Sequence, residues 1–382
     1  MKEKIRFLHL ADLHLGISNS FLPKDAAKDR SDAFLKAFEE AIDFACIKDN
    51  DISFVIIAGD LFDYNKPSSA LVEFVRRQFK KLENAEISAF LIGGTHDNLG
   101  YPNCVYNDKF DDLKLLTIFK NPNISEPLLV NIKNTDIHFY AFSHQPNKSQ
   151  PPYDSFEKID KEGFHMAVIH GSADIGKATD TKDIYVPLKM KNLAETGMDY
   201  IALGHYHSYN VVRQNSPMIV YSGCLENCKF GEGEKHFFVV GEIDPTSSRI
   251  SLNNVEYERK HIFTTESINL DTKQDINNED DLIKTISSFG GSRKITKLQI
   301  NGTCEFAFDV EKITEAVKDK FYFIKIEDNT SMLSSSSIKN MSGENTIRGL
   351  FVKKILEKIE NCSDEEEKKI LQMSLKIGIS GL

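Results

Sequence analysis

Five apolar runs of this chain end in residues that bind metal ions well. Ile5 to Ala11 runs into Asp12 and His14, Phe54 to Ala58 into Gly59 and Asp60, and Ala89 to Ile92 into Gly93, Gly94, Thr95, His96 and Asp97. Met166 to Ile169 ends in His170, and Tyr200 to Leu203 in Gly204, His205, Tyr206 and His207. One His or Asp after a strand most often turns the chain or packs as a satisfied polar group. The same ending at every run is a different signal, because strands of one open α/β sheet deliver their C-terminal ends to a common edge, where such folds place their sites. Alternation along extended backbone puts Asp12 and His14 on one side, and His205 and His207 likewise, so each pair can grip one ion. Mixed carboxylate and imidazole donors suit manganese, iron or zinc better than an all-oxygen calcium or magnesium site, and no thiolate joins the set. The chemistry indicated is two-metal hydrolysis, with Asp60 bridging the ions and so holding the water or hydroxide that attacks phosphorus.

The elements that must position these residues are legible in the apolar pattern. Phe34, Leu35, Phe38, Ala41, Ile42 and Ala45 recur at helical spacing between the first two runs, and Leu71, Val72, Val75, Phe79 and Leu82 do so before the third. Short uninterrupted apolar runs alternating with helices predict strands buried on both faces in a β-α-β arrangement. After Thr196 the strands follow too quickly for intervening helices, which predicts a more antiparallel second half. From about Ile262 the texture becomes polar, and a helix over Asp281 to Phe289, a strand over Ile295 to Phe308, a helix over Val310 to Phe321 and a strand over Tyr322 to Ile326 predict a small appended β-α-β-α-β unit. Ser331 to Ser337 reads as a linker. Two amphipathic helices close the chain, the first carrying Phe351, Val352, Ile355, Leu356 and Ile359, the second opened by a Ser363/Glu366 capping box and carrying Leu371 and Leu375. Their stripes fit a helical pair packed on its own protein as well as a surface for a partner.

Composition sets the outer bounds. The 382 residues suggest two to three domains at about 150 residues each. With 41% hydrophobic and 27% charged residues, collagen-like, coiled-coil and wholly disordered readings are excluded. A net charge of −10 means that any polyanion is held by local basic patches or metal ions rather than by bulk charge. The six cysteines are scattered, and Cys224 and Cys228, separated by three residues, read as small buried apolar groups rather than a zinc knuckle or disulfide. No run of apolar residues is long enough to span a bilayer, so a cytoplasmic protein with no membrane association is expected. His9, His138, His144, His165 and His236 lie in or beside strand-like runs and are read as packing residues. The basic cluster Arg76, Arg77, Lys80 and Lys81 reads as a solvated face, whereas Arg293, Lys294 and Lys297, in the appended unit, are candidates to track phosphates. Tyr64, Asn65 and Lys66, just past Asp60, are placed to touch substrate.

The motifs DLH, GDLFD, GTHD, the lone His of VIHG, and GHYH, in that order, resemble the calcineurin-like metallophosphoesterase superfamily. Within it, HLADLHLG, GDLFD, the small β-α-β-α-β unit and the C-terminal GLFVKKILEKIE and DEEEKKILQMSLKIGI stretches are similar to the SbcD-type DNA repair exonuclease subunits. The resemblance covers nearly the whole chain. It implies an α/β fold, a four-layer metallophosphoesterase-type sandwich of mixed β-sheets flanked by helices, with a small α+β capping domain and C-terminal helices. The domains it implies are a nuclease domain over 1–262, a DNA-binding capping domain over 263–330, a linker over 331–344 and a helical partner-binding segment over 345–382. It assigns Asp12, His14, Asp60 and His207 to one metal and Asp60, His170 and His205 to the other. His96 would lie beside the scissile phosphate, stabilising charge or protonating the leaving oxygen, with Asp97 orienting its ring. Asp63 is expected to support a ligand or turn the chain. The departure is Thr95, where the family usually has an Asn whose amide oxygen ligates the second metal.

The function implied is Mn-dependent exonuclease and endonuclease cleavage of DNA in double-strand break repair, using two Mn2+ ions, with Mg2+, Fe2+ or Zn2+ as substitutes. The family further implies a homodimer and an SbcC-type SMC-like ATPase docking on the C-terminal helices. Two alternatives remain open. One is a small-nucleotide phosphodiesterase or protein phosphatase, since the same chemistry cleaves any accessible phosphate ester. The other is a DNA-binding assembly module whose metal site is weakened at Thr95.

Overall fold

Residues Ile5–Leu10 illustrate how the sequence builds the first domain: Leu8 and Leu10 point to one apolar cluster, while Ile5 and Phe7 point to another on the opposite face. A strand with no polar face must be covered on both sides. In the computed structural model, one side is covered by the helices Lys24–Cys46 and Ser69–Asn84 and the other by a second sheet. The structure describes the chain except for residues 1–2, 121–123, 125, 142, 144, 146–155, 176–185, 234, 274, 305, 307, 332–337, 339–340 and 382. His144 and nearly all of the serine-rich stretch therefore lie outside the described residues.

The chain divides into two units, 1–260 and 261–382. In the first unit, one sheet runs in the order Arg249–Leu252, His236–Asp244, Ile5–Leu10, Ile52–Ala58, Ser88–Ile92, Leu116–Ile118, with Val255–Tyr257 also paired to His236–Asp244. The last four strands of that order are mutually parallel, and His236–Asp244 joins them antiparallel. The second sheet runs Asn210–Arg213, Met218–Tyr221, Tyr200–Gly204, Phe164–His170, Thr135–Ala141, Leu128–Ile132. Phe7 ties the sheets together, stacking on Phe54 at 5.2 Å and meeting Tyr200 edge-on at 5.1 Å. The short helix Met190–Glu195 buries Leu193 on the outer face of the second sheet. Helices, sheet, sheet and helix give the four layers expected from the sequence. Each large apolar side chain sealed in these layers contributes about 1.5–3 kcal/mol.

The second half is less antiparallel than its quick succession of strands predicts. Tyr200–Gly204 pairs parallel with both Phe164–His170 and Met218–Tyr221, so antiparallel pairing in this half enters only with Asn210–Arg213 and the strands from His236 onward. The hairpin strand Asn210–Arg213 supplies the return path that a helix supplies elsewhere.

In the second unit, Ile262–Asn269, Gly291–Thr303 and Phe321–Ser331 form a fully parallel sheet in chain order. The connecting helices Glu279–Ser288 and Val310–Val317 bury Leu282, Ile286, Ile313 and Val317 on it. Both helices start on side-chain caps, Asn278 accepting from Asp281 N and Asp309 from Glu311 N and Lys312 N. The C-terminal pair comprises Ile347–Asn361 and Glu365–Gly381, with the Phe351 ring against Gly378. The second of these is capped by Asp364, which accepts from Glu366 N at 2.8 Å and Glu367 N at 3.1 Å, not by Ser363. A carboxylate one residue closer to the helix adds its charge to the positive helix end.

Candidate metal centre

The first sheet delivers Asp12, His14 and Asp60 through a strained local path. Asp12, His14, Asp60 and His205 all have left-handed backbone, with φ of 53°, 42°, 51° and 103°. Such conformations cost non-glycine residues on the order of 1–3 kcal/mol each and persist only where the surroundings enforce them. The enforcement is visible. Asp12 N donates to Gly59 O at 3.1 Å, His14 N to Asp60 O at 3.0 Å and Leu15 N to Leu61 O at 2.9 Å, zipping the two strand ends together past the sheet. His205 N donates to both carboxylate oxygens of Asp12 at 3.0 Å, tying the second sheet to the first.

Asp60 is central. Its Oδ2 lies 3.2 Å from His170 Nε2 and 3.9 Å from His14 Nε2, and its Oδ1 accepts His96 N at 2.8 Å. Gly94 permits this approach, because a Cβ there would stand 2.2 Å from Asp60 Oδ1. His14 Nε2 lies 3.2 Å from His207 Nε2. Donor atoms gather into three overlapping groups: Asp12, His14 and His207; His14, Asp60 and His96; and Asp12, Asp60 and His170. His170 Nε2 is buried without a hydrogen-bond partner despite facing the Asp60 carboxylate, an orphan that a cation beside Asp60 would satisfy. These carboxylates and imidazoles fit a pair of borderline divalent ions sharing Asp60. His205 gives its amide to Asp12, and its ring centroid lies 5.3 Å from that of His170, outside the donor groups found among the described residues.

The rings are aimed by their far nitrogens. His14 Nδ1 pairs with Asp63 Oδ1 at 3.0 Å, His170 Nδ1 with Ala58 O at 2.9 Å, and His207 Nδ1 with Glu232 Oε1 at 2.5 Å. Such partners fix the tautomer that leaves Nε2 facing the site. Electrostatics agree. Burial alone would pull His170 down, yet the Asp60 charge beside it holds its pKa up at about 9. His14 is also held up at about 9, with Cys228, Asp63 and Asp60 outweighing burial. Asp60 is held well below the usual carboxylate range, its burial overcome by His170 and His14. The pocket concentrates negative charge around imidazole nitrogens, and an ion takes the place of the protons they hold.

His96 differs from the other donors in being 48% exposed at its side chain. Its Nδ1 meets the Asp63 carbonyl at 3.0 Å. Asp97 does not orient this ring. It is wholly buried and accepts Gly94 N at 2.7 Å, Phe62 N at 3.0 Å and the Tyr106 hydroxyl, so it staples the GTHD turn to the chain after Asp60. Its carboxyl is pushed up by burial and by the neighbouring Asp60 charge. Thr95 Oγ1 donates to Asp60 Oδ2 at 3.2 Å.

The remaining candidates separate. Tyr64 and Lys66 are exposed, while Asn65 turns a buried Oδ1 inward. Arg293, Lys294 and Lys297 belong to the strand Gly291–Thr303 of the second unit, where Lys294 donates to Phe289 O at 2.8 Å and Lys297 pairs with Glu327 at 3.0 Å. Lys294 and Lys297 are thus engaged within their own unit. Arg76, Lys80 and Lys81 are paired with Asp112, Glu83 and Asp43 on the helix surface. His9, His138, His165 and His236 are buried and bonded to Tyr200, Glu162 O, Tyr140 and Cys224 O. The sequence reading missed Glu232, which carried no signal because it follows no strand and lies beyond His207 by 25 positions.

Comparison with known proteins gives the arrangement a lineage. Residues 5–209, more than half of the chain, match the calcineurin-like phosphoesterase family. An uncharacterised metallophosphoesterase of Bacillus subtilis, YhaO, is 27% identical over 71% of this chain and 66% of its own length. The DNA double-strand break repair protein Mre11 of Sulfurisphaera tokodaii is 24% identical over 97% of this chain and 92% of that protein. Mre11 of Methanosarcina acetivorans is 27% identical over 72% of this chain, which spans only 42% of that relative. With its buried aspartates and histidines converging on Asp60, the chain belongs to the calcineurin-like phosphoesterase family and is a metal-dependent phosphoesterase.

Proposed function

We propose that the protein is a DNA nuclease that hydrolyses phosphodiester bonds at DNA ends during double-strand break repair. The observation that carries the reading is the meeting of Asp12, His14, Asp60, His170 and His207 at one strand edge with an exposed imidazole, His96, beside them. The choice of DNA is supported by likeness to a break-repair protein over 97% of the chain, well beyond the phosphoesterase span 5–209.

Asp12, His14, Asp60 and His207 would hold one ion and Asp60, His170 and His205 the other, manganese being the proposed metal. When bound, the ions supply Lewis acidity at the phosphate and lower the pKa of water. Asp60, with Oδ2 facing His170 and His14, would be shared between the two ions. His96 is positioned to stabilise negative charge on the phosphate or to protonate the departing oxygen, and the Asp63 carbonyl fixes its ring. Tyr64 and Lys66 are the exposed side chains next along the chain and are proposed to meet the substrate. Thr95 gives its hydroxyl to Asp60, and a second ion would have one fewer strong ligand here than with an Asn.

The C-terminal helices leave Ile347, Leu350, Ile370 and Met373 exposed by 79%, 56%, 64% and 64%. Solvent is a costly neighbour for such side chains on paired helices, which supports docking of an SMC-like ATPase there. Homodimer formation is part of the same proposal. Among the described residues, no helix is long and apolar enough to cross a membrane.

The test is incubation of the purified protein with Mn2+ and end-labelled double-stranded DNA, alongside Asp60→Asn. Cleavage that vanishes in the variant supports the nuclease. If neither linear nor hairpin DNA is cut while a small phosphodiester is, the DNA assignment fails.

A further inference from the structure

The segment after the strand Met218–Tyr221 gathers donors that phosphate-ester chemistry does not use. Cys224 N donates to His207 O at 2.9 Å, anchoring the segment against the GHYH motif. Cys224 Sγ lies 3.3 Å from the same carbonyl and 3.9 Å from Glu232 Oε2. Glu232 reaches in two directions, with Oε1 2.5 Å from His207 Nδ1 and Oε2 accepting Cys228 N at 2.7 Å. One donor atom from each of His207, Cys224, Cys228 and Glu232 lies within 4.8 Å of every other. Around a tetrahedral ion with metal–sulfur bonds of about 2.3 Å, donors stand roughly 3.8 Å apart, so closing this set takes shifts of no more than about 1 Å. The three-residue separation of Cys224 and Cys228 is within the range of zinc-binding loops.

We propose that Cys224, Cys228, Glu232 and His207 form a separate metal centre for a thiophilic divalent cation, zinc by preference, immediately behind the phosphoesterase site. Two thiolates select zinc over the oxygen-preferring ions, and four protein donors leave no open position, which makes the centre structural in kind. His207 belongs to both sites, with Nε2 directed at His14 Nε2 and Nδ1 directed at Glu232. An ion on Nδ1 makes the imidazole a bridge and fixes its orientation more firmly than the carboxylate alone. Loading takes both sulfurs as thiolates and Nδ1 without its proton, so any proton still on these atoms passes to solvent.

The probe is cobalt(II), because the phosphoesterase donors are nitrogen and oxygen and cannot give a thiolate-to-cobalt charge-transfer band. Full-length protein, reduced and stripped with chelator under argon, is titrated with Co2+. The expected result is a near-ultraviolet charge-transfer band that rises to a plateau with added Co2+ and is abolished by Zn2+. The band is expected to vanish in a Cys224→Ser/Cys228→Ser double variant and to persist in Asp60→Asn, which alters only the phosphoesterase donors. Absence of the band in the wild-type protein overturns the proposal, whatever the folding of the variants. Persistence in the double variant, or loss in Asp60→Asn with its circular dichroism unchanged, overturns it as well. A protein with no band that still cuts DNA keeps its nuclease function and loses this centre; a protein with the band and no cleavage does the reverse.

Discussion

The inner half of the phosphoesterase site and its rim are built on different terms. The inner half, Asp12, His14, Asp60 and His170, is at most 2% exposed, three of its four residues have left-handed backbone, and every ring is aimed by a partner on its far nitrogen. The rim, Thr95 and His96, is partly or largely open to water and holds its place through Asp60, the Asp63 carbonyl and the Asn98 amide. Strain and desolvation are concentrated where ions must be held at fixed spacing. At the rim, where a substrate must enter and leave, little is stored. Changes to the inner half should therefore disturb metal content, and changes to the rim turnover alone.

The sharpest break of this contrast is Asp60→Asn. Asn tolerates the left-handed backbone, so the fold should survive while bound metal, read by elemental analysis, and phosphoesterase activity both fall to background. His96→Ala should lower kcat by about 10²–10⁴-fold with metal content unchanged and stability altered by no more than about 0.5 kcal/mol. Loss of metal in that variant would place His96 among the ion ligands and erase the distinction between the two halves. Metal removal gives the next effect. His14 and His170 are held at about 9, above the ordinary 6.5, so in chelator their protonation stabilises the fold fully below about pH 6.5 and that contribution is lost as pH rises through about 9. Thermal melting of the stripped protein should thus show a lower midpoint at pH 9.5 than at pH 6.5, with added Mn2+ restoring most at the higher pH. The smallest change is Thr95→Asn, expected to tighten the weaker ion on the order of tenfold, measured by calorimetric Mn2+ titration. No change would mean that position 95 does not reach the second ion.

Most of the inner half was legible because it follows apolar runs, and a strand end is the one place where sequence order becomes spatial convergence. Asp12, Asp60 and His170 needed only that rule. Cover on both faces of the strands was legible for the same reason, whereas the number of layers came from the resemblance carried by the motifs. What the sequence hid was the support. Glu232 follows a loop, the His96 ring is held by a backbone carbonyl that any residue would offer, and the role that the resemblance implies for Asp97 gives way to its bonds with Gly94 N, Phe62 N and Tyr106. Parallel pairing of Met218–Tyr221 was hidden too, because a short hairpin strand rather than a helix completes its connection. Cys224 and Cys228 read as packing residues from the sequence, and their nearness to Glu232 and His207 is visible only in the fold.

The bond from His205 N to Asp12 spans 193 positions of chain, and the strand Ile5–Leu10 gains its antiparallel neighbour only at His236–Asp244. During synthesis, the first strand therefore waits with one edge unpaired until some 240 residues have left the ribosome. The donors run from Asp12 to His207, so the phosphoesterase centre cannot be assembled until the chain through His207 has emerged, and metal loading becomes a late event in biogenesis. A nascent chain stalled before residue 236 would carry every donor of the centre yet present an open sheet edge, making it a client for chaperones rather than a miniature enzyme.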